Sequence, residues 1–175
     1  MDVIHAKAIT AALFGIPGAF ALLAPAAARR VAKVFPDNAV AGRILSAAAL
    51  LWAAALIYYT PLDFLAKFRV AITVFLIVAV PLSWAWTPTL LAARSLGGLW
   101  CLIPAPVLVA VRFAPGSGRL VTVSLMYVMA VAGMFSTFSP YLLRDALFKF
   151  SDSSNTMARV IGLLLLVAGT AAAAA

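Results

Sequence analysis

The chain has 175 residues, of which 66% are hydrophobic and 10% are charged, and its formal net charge is +8. A typical soluble domain has about 45–50% apolar and about 25% charged residues. A water-soluble fold of this length cannot hide so much apolar surface, so the composition excludes an ordinary soluble domain. The basic residues lie in short connections between apolar runs, which is typical of membrane topology signals, and we therefore expect no nucleic-acid partner.

Six apolar runs follow one another along the chain. They cover approximately residues 9–23, 44–59, 70–86, 96–113, 120–138 and 160 to the end. Backbone groups in lipid must be hydrogen-bonded within the protein, and no in–out alternation typical of a barrel is present, so the runs are predicted to be helices. The predicted fold is all-α and polytopic, with about six spans in a single transmembrane domain over residues 1–175.

The charges at the start of the chain and in the connections predict how it lies in the membrane. Asp2 precedes any basic residue and Lys7 is the only other charge before the first run, so that run is expected to be a retained span rather than a cleaved signal peptide. Of the 13 basic residues, eight lie after spans one, three and five, and five lie on the opposite side. The positive-inside rule then predicts termini on the non-cytoplasmic side.

The connections after the first and fifth spans repeat one pattern. When Pro25 is aligned with Pro140, the matched pairs are Pro25 and Pro140, Arg29 and Arg144, Phe35 and Phe150, Asp37 and Asp152, and, after a one-residue slip, Arg43 and Arg159. Pro88 and Arg94 in the middle of the chain suggest a shorter third copy. The chain is therefore predicted to contain three helical hairpins, at about 9–60, 70–113 and 120–175.

Each repeated connection is predicted to form a short amphipathic helix in the headgroup layer. Ser139 is a candidate cap for the second of these helices, and Asp37 and Asp152 are expected to cap the following span or to pair with Arg43 or Arg159. The simple interpretation is a structural elbow; the alternative is a site for lipid headgroups or a partner. The basic candidates for such contacts are Arg29, Arg30, Lys33, Arg43, Arg144, Lys149 and Arg159.

The last hairpin resembles a family of small two-helix bacterial inner-membrane proteins that have no assigned activity. The positions that carry the resemblance are Pro140, Arg144, Arg159, Gly162 and Gly169. The first hairpin departs from this pattern, because Ser46 stands where the family has a glycine after Arg43. The resemblance covers about a fifth of the chain and implies a bacterial inner (cytoplasmic) membrane.

The sequence offers little catalytic or cofactor chemistry. It has one histidine, His5, and one cysteine, Cys101, so no metal site and no catalytic residues are predicted. Weak candidates for contact with a pigment or quinone are His5, Trp84, Trp86 and Trp100. A solvated histidine and an interfacial belt of tryptophans are the simpler interpretation. No cofactor is expected, whereas bound lipid is.

Three functions remain open at this point. No aspartate lies at the middle of a span, and the hydroxyls within spans are expected to bond their own or neighbouring helices. The leading hypothesis is therefore a non-catalytic accessory subunit of a larger bacterial membrane complex, with membrane lipids and other integral membrane subunits as partners. The alternative is a small permease or channel-like carrier, because Pro104 and Pro106 should break the fourth span. A pigment- or quinone-contacting subunit is the third hypothesis.

Overall fold

The computed structural model describes residues 3–59, 67–86, 90–113 and 118–174, and every regular element in these ranges is helical. The helices are α1 (Val3–Leu23), α2 (Pro25–Val34), a 3-10 turn (Phe35–Asp37), α3 (Ala39–Tyr59), α4 (Arg69–Trp86), α5 (Leu91–Leu102), α6 (Pro104–Val111), α7 (Gly118–Phe138), α8 (Pro140–Asp152) and α9 (Asn155–Ala174). Pro88, which was assigned to the shorter third copy of the repeat, lies outside the described residues.

The predicted all-α, polytopic fold is confirmed. Six segments are long and apolar enough to cross a membrane: α1, α3, α4, α5 with α6, α7 and α9. Several helices begin earlier than their apolar runs, because each also includes preceding residues that carry a basic side chain. An exposed arginine consequently lies near the start of four spans, at Arg43, Arg94, Arg119 and Arg159. Long basic side chains at such positions extend toward the membrane surface while their stems contact apolar groups.

The packing of the spans follows the chain connections only in part. α3 packs against α4 and α5 packs against α7, and both of these pairs are consecutive spans. The most extensive helix contact joins α1 to α9, the first span to the last. α5 also packs against α3, so α5 and α6 link the two sides of the bundle, while α4 stands at its edge and contacts α3.

The fourth span is interrupted where the prolines predict it. α5 ends at Leu102 and α6 begins at Pro104. Ile103 between them keeps a helical backbone, with φ −58° and ψ −42°, and its N–H still bonds the Leu99 carbonyl at 2.9 Å. Because a proline has no N–H, Pro104 and Pro106 each remove one bond of the helical ladder. The break is thus a local loss of hydrogen bonds rather than an unwound turn.

Small residues dominate the buried helix contacts. Gly18 of α1 meets Gly162 of α9, and Gly97 of α5 meets Gly133 of α7. Gly169 lies against the backbone of Gly15. Such close approaches are typical of membrane helices, where small residues let backbones come together. Glycines of α7 and α9 thus lie at the closest approaches to their neighbouring helices. A separate apolar cluster consists of Ala6, Val107, Val111, Met126 and Met129.

Candidate functional site

The two repeated connections have nearly the same local structure. Ala24, before α2, has φ −130° and ψ 63°, and Ser139, before α8, has φ −128° and ψ 72°. In both, a buried proline then opens the helix, at Pro25 and Pro140. Proline is favoured at this position because its fixed φ suits a helix start and its missing N–H has no bond to lose. The hydroxyl of Ser139 makes no capping bond, so the predicted cap at this residue is wrong.

The residues that cap the following spans, α3 and α9, lie one residue beyond Asp37 and two residues beyond Asp152. Asn38 Oδ1 accepts hydrogen bonds from the N–H groups of Val40 and Ala41 at 3.0 Å, and Ser154 Oγ accepts one from the Met157 N–H at 3.2 Å. Asp37 cannot cap α3 because it still belongs to the 3-10 turn.

The predicted ion pairs are also absent. Neither Asp37 with Arg43 nor Asp152 with Arg159 forms one among the residues that the structure describes; the pair found there joins Arg144 to Asp145. The expectation that the two aspartates would cap the spans or pair with these arginines was therefore wrong.

The two elbows, α2 and α8, contact each other, and Arg29 links them. Its Nε donates to the backbone carbonyl of Ser151 at 2.7 Å, and its Nη1 donates to Asn155 Oδ1 at 2.9 Å. The Ser151 carbonyl lies in the last turn of α8, where carbonyls lack a partner within the helix and carry the negative end of the helix dipole. The guanidinium of Arg29 therefore caps α8 from the neighbouring elbow.

Arg144, which matches Arg29 in the repeat, has different neighbours. Its Nε lies 3.5 Å from Asp145 Oδ1. Its guanidinium carbon lies 5.7 Å from the ring centroid of Phe148. Both neighbours belong to α8 itself, so this arginine does not bridge the elbows. The repeat is thus similar in backbone but asymmetric in its contacts.

A basic groove lies between the elbows. Its volume is about 300 Å³, and it is lined by Ala26, Arg29, Arg30 and Lys33 of α2 and by Ser151 and Asp152 of α8. Arg30, Lys33 and Asp152 are exposed, whereas Arg29 is half-buried. We name these six residues the elbow groove. Of the other predicted contact residues, Arg43, Lys149 and Arg159 are exposed outside it.

The weak cofactor candidates are spread over the bundle. Trp84 Nε1 donates to Ser46 Oγ at 2.9 Å, which ties α4 to the start of α3. Trp86 is 80% exposed, and Trp100 packs against the apolar cluster. His5 lies at the opposite end of its span from the elbows, because α1 runs toward α2. A flat cofactor in contact with all four side chains is therefore not favoured. In the described part of the chain, no group of three His, Cys, Asp or Glu residues is placed to hold a metal ion.

Several residues that shape the site were not predicted. Asn38 and Ser154 stand directly before apolar helices, and the preference of Asn and Ser for helix starts is the signal that could have identified them. Asn155 is another polar residue at a helix start. The role of Ser151 depends on its backbone carbonyl, which no side-chain pattern reveals.

Comparisons of the chain with protein-family models, with curated proteins and with solved structures found no match.

Proposed function

We propose that this multi-pass membrane protein is a non-catalytic subunit of a larger bacterial membrane complex, embedded in the inner (cytoplasmic) membrane. The elbows and their arginines face the cytoplasm in this proposal, and both termini face the other side, in keeping with the excess of basic residues on the elbow side. The complex would be bound through the helix at the edge of the bundle.

The observation that carries the proposal is the position of α4. No residue of α4 is buried, although it has 18 residues and an apolar composition. The described residues of this helix pack chiefly against α3. An apolar helix that packs chiefly against one neighbour in the described part of its chain leaves most of its surface to lipid or to a helix of another subunit.

The two faces of α4 differ in exposure. The half-buried face consists of Arg69, Ile72, Thr73, Leu76, Ala79, Val80 and Ser83. This spacing of three and four residues is the pattern of a helix packed against a single partner along one seam. The opposite face is exposed and includes Val74 and Val78, which are one turn apart. We infer that a helix of another subunit packs there.

The test is a pull-down of the tagged protein from native membranes in mild detergent, with mass spectrometry of the recovered proteins. The variant Val74→Trp with Val78→Trp places two large rings on the exposed face of α4. The matched control is Leu164→Trp with Val167→Trp, at exposed positions of α9. We expect a stoichiometric partner set with the native protein and with the control, and its loss with the α4 variant.

Two results would overturn the proposal. Recovery of the protein alone, or only with copies of itself, would exclude an accessory subunit. Equal loss of partners from the α4 variant and the α9 control would remove α4 as the contact surface.

A small permease or channel-like carrier is the second candidate, favoured by one specific observation. Thr122 of α7 is 0% exposed, and its hydroxyl has no hydrogen-bond partner among the described residues. A buried, unpaired hydroxyl is costly, and the hydrogen bonds lost at Pro104 and Pro106 leave backbone carbonyls unpaired in the fourth span, which a solute could contact. Solute flux in proteoliposomes that falls in the Pro104→Ala with Pro106→Ala variant would favour this candidate over the first.

A further inference from the structure

The elbow groove is formed by two short helices that begin directly where their spans end. Only Ala24 separates α2 from the span α1, and only Ser139 separates α8 from the span α7. α2 has 10 residues and α8 has 13, whereas crossing a membrane takes about 20. Each elbow is therefore too short to cross the membrane and begins at the end of its span, which places the groove between them near the headgroup layer.

The charge of the groove suits an anion. Arg29, Arg30 and Lys33 face a single carboxylate, Asp152. Arg30 and Lys33 make no hydrogen bond or ion pair with any other residue that the structure describes. Arg29 uses two of its five N–H donors on Ser151 and Asn155, and three remain. Arginine N–H groups bind phosphate oxygens through strong, charge-assisted hydrogen bonds.

The surroundings of the groove suit a lipid rather than a soluble phosphate. Val31 and Val34 of α2 are 54% and 61% exposed. Val34 follows Arg30 by one turn and lies beside it on the helix surface, with Val31 on the same side and away from Arg29, because α-helical residues turn by about 100° each. An apolar side next to a cationic groove at the membrane surface is the arrangement expected for a lipid with its phosphate in the groove and its chains along the valines.

We propose that the elbow groove is a binding site for an anionic glycerophospholipid. The phosphate is held by Arg30, Lys33 and the remaining donors of Arg29. Asp152 accepts a hydrogen bond from a headgroup hydroxyl, which makes a glycerol headgroup a suitable ligand. The bound lipid joins the two elbows in the same way as Arg29 does. The site needs no other subunit, so it goes beyond the proposed function and is tested separately.

The experiment measures lipid binding to the purified, delipidated full-length protein by native mass spectrometry. The probes are phosphatidylglycerol and phosphatidylcholine with identical acyl chains. The site variant is Arg30→Gln with Lys33→Gln, and the charge-matched control is Arg43→Gln with Arg159→Gln, which removes two exposed cations near the same membrane surface but outside the groove. We expect saturable binding of phosphatidylglycerol in preference to phosphatidylcholine, weakened about tenfold or more in the site variant and less than about threefold in the control.

Three outcomes would overturn the site. Equal weakening by both double variants would mean diffuse attraction between the basic face and anionic lipid. Equal affinity for the two lipids would exclude recognition of the charge and the headgroup. Displacement of phosphatidylglycerol by glycerol phosphate at the same concentration as the lipid would show a site for soluble phosphates. None of these results depends on whether the pull-down finds a partner.

Discussion

Gly18 of α1 and Gly162 of α9 lie so close that a Cβ atom on either would be 2.8 Å from the carbonyl oxygen of the other. The relationship is reciprocal, and the atoms that a side chain would meet belong to the backbone. A backbone does not move aside as the end of a flexible side chain does. The first and last spans are therefore held together at a distance that only glycine permits.

Replacing either glycine by alanine should destabilise the α1–α9 contact. We expect Gly18→Ala and Gly162→Ala each to cost about 1–3 kcal/mol, because the two helices must separate. The measurement is the thermal unfolding temperature of the purified protein in detergent. The control is Gly15→Ala, whose Cβ would meet nothing within 4 Å. An unchanged unfolding temperature in both test variants would show that the two helices do not approach so closely.

A second glycine pair makes a similar prediction for the contact between α5 and α7. A Cβ on Gly97 would lie 2.9 Å from the Gly133 carbonyl oxygen, and one on Gly133 would lie 2.8 Å from that of Gly97. We expect Gly97→Ala and Gly133→Ala to lower the unfolding temperature.

The neighbouring Gly98→Ala is the matched control, since its Cβ would meet Ala49 at an ordinary 3.9 Å. Alanine is favoured over glycine in helices by about 1 kcal/mol, so this control should be neutral or slightly stabilising. A loss of stability in Gly98→Ala equal to that of Gly97→Ala would contradict the assigned faces of α5.

Sequence predicted the spans well and their contacts poorly, for a physical reason. The length of an apolar run is a local property, and lipid imposes helix on it, so six spans follow from composition and order. The pairing of Gly18 with Gly162 depends on which of many small residues meet across the whole chain. Arg29 and Arg144 give a second example. They occupy matching positions in the repeated sequence, but only Arg29 contacts the other elbow, and the sequence does not show which of the two will do so.

This asymmetry between the arginines gives a third prediction. Arg29→Lys keeps the charge but loses the planar group that bonds the Ser151 carbonyl and Asn155 together. We expect a loss of about 1–2 kcal/mol, since one of the two bonds is exposed, and faster amide exchange of deuterium in α9 near Asn155. The matched control is Arg144→Lys, whose ion pair with Asp145 is exposed and within one helix, and which should change little. Equal effects of the two variants would mean that Arg29 does not bridge the elbows.

The last prediction concerns two buried threonines that differ in one bond. Thr10 and Thr122 are both 0% exposed, but the Thr10 hydroxyl donates to the Ala6 carbonyl at 2.9 Å, whereas that of Thr122 has no partner among the described residues. Valine has nearly the shape of threonine without the hydroxyl. Thr122→Val should therefore stabilise the protein by about 1 kcal/mol, because it removes an unpaired polar group from an apolar site. Thr10→Val should gain less, because the hydroxyl that it removes is already bonded.

The thermal unfolding temperatures of the two valine variants measure this difference. If Thr122→Val is instead destabilising, its hydroxyl has a partner in the folded protein, such as a bound water or solute. Flux in proteoliposomes then separates these two cases, because a hydroxyl that contacts a passing solute would be needed for transport. A stable Thr122→Val variant with unchanged behaviour in the pull-down would agree with a protein whose spans serve to pack rather than to conduct.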